Sequence, residues 1–322
     1  MKPVALLAAA LALAAGASGA SAQAGATNKE AAEKPFAKDR IGWNKPFKPF
    51  HVIGPIYYVG MANVSAFLIV TPAGNILTDG ALPESVPFIE KNIKALGFKL
   101  SDVKVILNSH AHFDHSGGLA QLKRDTGARL YASRGDAPIL ESGHIDYGPA
   151  QQVDAPKVHV DQIIADGATI RMGDVALTAR VTPGHTPGCT NWLMDLPPPS
   201  ATRSRASGHL PRQPAGAGTG EDGRAHRVIF FCSITAGGYP LAGKGAKPQL
   251  VETFRASFKT LKTMDADILL AAHGVQFGLE EKAAKLKPGA PNPFIVPGEF
   301  RKLVAGMEKA FDAELARQKA AR

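Results

Sequence analysis

Between Asn108 and Gly118 the chain reads Asn-Ser-His-Ala-His-Phe-Asp-His-Ser-Gly-Gly, so His110, His112, Asp114 and His115, four side chains able to bind a metal, fall within six residues. A packed core has no use for titratable groups at that density, because each must be desolvated and then paired. The residues just before, Val103 to Leu107, are apolar and β-branched enough for a strand, while Gly117-Gly118 followed by Leu119 and Leu122 suits the start of a helix. The cluster therefore belongs on a loop at the carboxyl end of a strand, where α/β proteins build their sites. His110 and His112 alternate, so in extended chain they point the same way. A turn through Phe113 can aim Asp114 and His115 at a second point, which implies two metals. Neutral imidazole with carboxylate suits zinc or a similar borderline cation.

A strand followed by His-x-His-x-Asp-His resembles the signature of the metallo-β-lactamase superfamily. That resemblance implies an α/β fold, the four-layer αββα sandwich, and it gives meaning to three further segments. Thr182-Pro183-Gly184-His185-Thr186-Pro187-Gly188 is similar to the family's third motif, which makes His185 a ligand. His273, after the buried run Asp267 to Ala271 and before Gly274, matches the last ligand. Asp79, at the end of the run Asn75 to Thr78, matches an Asp-Gly beneath the metal site and is expected to orient a ligand histidine. The implied ligand sets are His110, His112 and His185 for one zinc ion and Asp114, His115 and His273 for the other, with the catalytic burden on His110, His112 and Asp114. No context of this kind surrounds His51, His144, His159, His209 or His226.

The substrate expectation turns on Phe231 to Thr235. Glyoxalase II type thioesterases and the lactonases of this fold place a bridging aspartate there, and this chain has none. Di-iron redox members typically have glutamate where this chain has His112. The pattern resembles the subclass B3 β-lactamases, with serine where subclass B1 has a cysteine ligand. It implies zinc-dependent opening of the β-lactam amide of carbapenems, cephalosporins or penicillins by a metal-bridging hydroxide, and hence antibiotic resistance, with Ser233 and Thr235 contacting the substrate carboxylate. A shift of one residue in register would instead make Cys232 a ligand. If the subclass pattern holds, Cys232 faces away, toward Cys189, and a disulfide between the two is allowed in an exported protein. The rival readings are an exported lactonase-like or thioesterase-like hydrolase, and a binding protein that kept the fold without the chemistry.

Export is expected from Met1-Lys2 and the apolar run Val4 to Ala15, which is too short to span a bilayer, and Ala22-Gln23-Ala24 fits a cleavage site. The predicted organisation is a signal peptide over 1–24 and one domain over 25–322, periplasmic and monomeric, with no membrane span in the mature chain. The formal charge of +9 is scattered rather than clustered, so nucleic acid is not an expected partner; a small-molecule β-lactam is.

The patterning elsewhere predicts an irregular arm over 26–48 and then short strands Ile56 to Val59, Val64 to Thr71 and Asn75 to Thr78 as an antiparallel meander. Helices are expected over Ser85 to Leu96, Leu119 to Thr126, Asp136 to Glu141, Gln249 to Met264 and Gly298 to Arg322, and a strand over Ala128 to Ala132. Ala168 to Val181 reads as a hairpin turning at Gly173-Asp174. The loop Ile145 to Pro156 offers Tyr147, Gln151 and Gln152 as candidates for substrate contact. Between predicted strands Thr190 to Leu196 and Val228 to Ser233 lies a segment, 197–224, with five Pro, five Gly and four Arg, which reads as a loosely ordered insertion.

Overall fold

Side chains alternate along the extended runs, and the computed structural model, which describes residues 36–148, 153–198 and 222–321, uses both faces of them. Packing divides the chain into residues 1–42 and 43–322. Of the first unit, the described part is the start of helix α1 (Ala37–Trp43). Among its described residues the expected irregular arm over 26–48 thus includes a helical segment: seven residues are too few to show apolar periodicity, but Asp39 in the first turn and Arg40 in the last complement the helix dipole. All that follows concerns the second unit.

Its first sheet has seven strands in the order β1 (Phe50–Ile53), β2 (Ile56–Tyr58), β3 (Phe67–Thr71), β4 (Gly74–Thr78), β5 (Val103–Leu107), β6 (Arg129–Ser133) and β7 (Gln162–Ile164). The first four form the predicted antiparallel meander. From β4 onward the pairs are parallel, and parallel neighbours need a crossover between them. Helix α2 (Val86–Ala95) supplies the first, the short α3 (Phe113–Ser116) with α4 (Leu119–Thr126) the second, and α5 (Ala137–Ser142) the third. The second sheet runs β12 (Ile268–Ala271), β11 (His226–Phe231), β10 (Thr190–Leu196), β9 (Val175–Val181) and β8 (Thr169–Met172). Helices α6 (Pro248–Leu261), α7 (Leu279–Lys285) and α8 (Glu299–Ala320) are the remaining α-helices among the described residues.

Strand β3 shows how the layers are divided, for all five of its residues are buried. Phe67 and Ile69 enter a core shared with Leu177 and Trp192 of the second sheet and with Phe254, Phe258, Phe300 and Phe311 of α6 and α8. Leu68 faces the other way, into a core with Ile89 and Ile93 of α2, Leu122 of α4 and Ile139 of α5. Helices, sheet, sheet and helices therefore stack as the expected αββα sandwich. Emptying a fully enclosed site such as Trp192 would cost roughly 3–5 kcal/mol.

Most predicted elements lie within two or three residues of the observed ones. Val64 is an exception: the expected strand over Val64 to Thr71 begins only at Phe67, because Val64 instead forms a bridge to His273. The hairpin from β10 to β11 is antiparallel and closes with Leu196 opposite His226. Strands β1 and β7 and helix α7, which are four, three and seven residues long, were beyond the reach of periodicity. Residues 1–24, Gln151, Gln152 and 199–221 of the expected insertion lie outside the described residues. Among the described residues no helix is long and apolar enough to cross a membrane.

Cys189, just before β10, and Cys232, just after β11, are joined by a disulfide. It closes a loop with a sequence separation of 43, for which chain entropy alone gives about 4 kcal/mol. The double variant Cys189→Ala/Cys232→Ala should therefore unfold at lower denaturant, with a loss of about 2–4 kcal/mol. An unchanged midpoint would mean that the bond constrains nothing that unfolding releases.

Candidate metal centre

Several strands of the two sheets deliver loops to one edge of the sandwich. The ends of β4 and β5 bring Asp79 and the 108–116 segment; β9 leads to His185, β11 to Ser233 and β12 to His273. Backbone bonds lock these loops together: Thr190 donates to the Ser109 carbonyl across the sheets at 2.8 Å, and Gly80 to that of His115 at 2.9 Å. Gly118 has a steric reason to be glycine, since a Cβ there would sit 2.2 Å from the Gly80 carbonyl oxygen.

Six side chains converge as two groups, His110 with His112 and His185, and Asp114 with His115 and His273, the ligand atoms of each lying within 4.8 Å of one another. His112 Nδ1 is 3.1 Å from His185 Nε2, and His115 Nε2 is 3.2 Å from His273 Nε2. The Asp114 Oδ2 atom is 3.2 Å from His115 Nε2 and 3.5 Å from His273 Nε2. Two nitrogens bound tetrahedrally to one zinc at about 2.0–2.1 Å stand roughly 3.3 Å apart, so both groups match the edges of a metal polyhedron. The buried His110 Nε2 has no hydrogen-bond partner, as befits a lone pair kept for a cation. The donor sets fit a divalent metal.

The second nitrogen of several rings is fixed from behind, which sets the tautomer. His185 Nδ1 lies 3.0 Å from the Thr235 carbonyl oxygen, to which it can donate, and His110 Nδ1 meets Ser109 Oγ at 3.0 Å. Asp79 acts at one remove. Its carboxylate accepts from the Ser109 amide and hydroxyl, both at 2.6 Å, and stands 3.8 Å from His115 Nδ1, beyond a hydrogen bond. It holds that position from a left-handed backbone at φ +56°.

Of the two expected substrate contacts, Thr235 is exposed and its hydroxyl is 3.1 Å from His185 Nδ1, whereas Ser233 is 1 % exposed with its hydroxyl 3.3 Å from that of Thr235. Tyr147 donates to the Gly184 carbonyl at 3.0 Å and packs edge-on against Tyr239. Sequence reasoning missed Tyr239, whose hydroxyl donates to the His185 carbonyl and lies 3.5 Å from His112 Nε2. It missed Asp136 as well, and Trp43, whose ring lies 6.4 Å from that of His273. None of the three belongs to a run of metal-binding residues, so no local pattern marks them.

Burial pulls His110 well below the ordinary imidazole value, His112 down to about 3, and His185 and His273 down to about 4. These rings are neutral donors at pH 7. Burial also lowers His115, but the adjoining Asp114 carboxylate outweighs it and leaves the ring raised. In Asp114 burial is outweighed in turn by His115 and His273, which hold the carboxyl well below its usual range. Burial pushes Asp79 and Asp136 up to about 6.

Residues 59–192 match the profile of the metallo-β-lactamase superfamily. A subclass B3 metallo-β-lactamase of Bradyrhizobium japonicum superposes with a TM-score of 0.75 at 40% identity, covering 87% of this chain and 98% of that one. A hydroxyacylglutathione hydrolase of Bradyrhizobium sp. is 30% identical over 40% of this chain and 42% of its own length. An N-acyl homoserine lactonase of Agrobacterium fabrum is 28% identical over 42% of this chain and 60% of its own length. The chain thus spans only about two fifths to three fifths of these two curated relatives.

The metal-free protein has a pH dependence whose sign follows from the histidines. Unfolded, their pKa values lie near 6.5; folded, His112, His185 and His273 fall to about 3–4 and His110 well below its ordinary value. Between about 4 and 6.5 the unfolded state therefore binds more protons at these four sites, and stability rises with pH. Asp79 and Asp136, held at about 6, run the other way, as does the raised His115 near and above pH 6.5, but these are three groups against four. Chelator-treated protein should show a higher urea midpoint at pH 7 than at pH 5; the reverse order would contradict the neutral-ring assignment.

Proposed function

We propose that this chain, which belongs to the metallo-β-lactamase superfamily, opens the amide bond of β-lactam rings with two zinc ions held by His110, His112 and His185 and by Asp114, His115 and His273. The carrying observation is the make-up of the donor sets: six side chains and no carboxylate from the Phe231 to Thr235 strand end, where the thioesterases and lactonases of the fold are expected to place one. Likeness to a subclass B3 enzyme over nearly its whole length supports the same reading.

Bound zinc would bring the pKa of water near neutrality and polarise the lactam carbonyl. The rest is the work of this chain's own residues. Neutral His110, His112 and His185 leave one group without formal charge, while Asp114 gives the other its single negative charge, so the two positions differ in electrophilicity. The Asp114 carboxylate lies within reach of both His115 and His273, which keep it ionised, so it can accept a hydrogen bond that orients the attacking water. The exposed hydroxyl of Thr235 can donate to the substrate carboxylate, with Ser233 behind it. Trp43 offers an apolar face beside His273 for the substrate's substituents. The disulfide fits an oxidising compartment, in keeping with a periplasmic, monomeric enzyme that protects its host from β-lactam antibiotics.

The partial matches to a thioesterase and a lactonase favour a second reading, a hydrolase of acyl thioesters or lactones. One set of assays separates the two. Purified protein should hydrolyse a carbapenem, lose that activity to a chelator, regain it with zinc, and lose about a hundredfold or more, some 2.7 kcal/mol, in His112→Ala. Metal analysis should give two zinc ions per chain and one in Asp114→Ala. Faster turnover of an N-acyl homoserine lactone or an S-acylglutathione than of any β-lactam would overturn the assignment in favour of the second reading.

A further inference from the structure

Asp136, 1 % exposed, sits in the turn before α5 and belongs to neither donor group. Its Oδ2 atom accepts from the Ala111 amide at 3.0 Å and from the Thr186 hydroxyl at 2.8 Å, and its Oδ1 atom accepts from the Gly188 amide at 2.7 Å. Ala111 stands between His110 and His112, and Thr186 follows His185. One carboxylate thus ties the loop after β5 to the loop before β10, the two segments whose histidines form the three-histidine group. Gly188 is cut to this contact, since a Cβ there would stand 1.9 Å from Ser133 Oγ and 2.5 Å from the Asp136 nitrogen. Nothing comparable links Asp136 to Asp114, His115 or His273 among the described residues.

We infer that Asp136 is a positioning residue that sets the spacing of His110, His112 and His185, and so selectively controls metal capture by that group; the inference rests on the two-ion reading of the site. Bonds to a buried carboxylate from amide donors are charge-assisted and short, and they fix direction as well as distance. Residues that orient metal ligands commonly account for 10–100-fold in metal affinity. Asparagine at this position keeps the shape but removes the charge and turns an N–H toward one of the donors it should accept from.

Cobalt(II) is a suitable probe, because its visible absorption reports the geometry of each site and His185→Ala identifies the bands of the three-histidine group. Asp136→Asn should weaken cobalt binding at that group by about tenfold or more and shift its bands, leaving the Asp114 group as in the wild type. Thr186→Val should act in the same direction, and Thr186→Ser, which keeps the hydroxyl, should restore wild-type behaviour. If Asp136→Asn fails to fold, the Thr186 pair decides alone. Folded variants with wild-type affinities and spectra at both groups would overturn the inference, and so would equal losses at both groups. A wild type that takes up no cobalt would overturn the metal reading itself, and the inference with it.

Discussion

Five imidazoles and a carboxylate crowded into one small, largely buried volume set the terms for the rest of this structure. Each lone pair turned inward has given up water, and a neutral ring cannot satisfy its neighbour when both present acceptors. The arrangement is tolerable only if the surrounding scaffold is stiff enough to stop the rings from turning away toward better partners. Hence the site sits where strand ends of two sheets meet, and hence the close backbone approaches at Gly80, Gly118 and Gly188, where a side chain would force the loops apart.

That economy explains which parts could be read from the sequence. The His110 to His115 cluster is legible because its density has no other use. His185 and His273, alone in their segments, became legible only through a family resemblance. Asp136 and Tyr239 act through single contacts with distant backbone, Ala111 and Gly188 for the one and the His185 carbonyl for the other. Contacts between residues 25 to 54 positions apart leave no trace in local pattern. The same holds for secondary structure: α6 carries Leu250, Phe254, Phe258 and Leu261 on one buried face and declares itself, whereas β1 and β7 exist because a neighbouring edge accepts their backbone bonds.

The two donor groups are chemically unequal, and the inequality is built into their surroundings. The three-histidine group has hydroxyls and carbonyls behind it, from Ser109 and Thr235. The other has carboxylates, Asp114 beside His115 and Asp79 below it, which leave His115 the one ring of the five whose affinity for a proton is raised rather than lowered. A proton arriving at this centre would therefore settle first on the Asp114 side. In the reaction proposed above, that polarity would favour departure of the leaving nitrogen on that side and approach to the carbonyl on the other.

The hairpin of β10 and β11 has a different kind of consequence. Its ladder closes with Leu196 opposite His226, and seven residues at about 3.3 Å each carry β10 roughly 20 Å from the loop that bears His185. The paired strands hold the two chain ends together by their own backbone bonds, so the ladder itself sets the register. The tip is thus a splice point: an epitope, a reporter peptide or a surface anchor could be written between Leu196 and His226, and the register of the strands below would not need to be renegotiated.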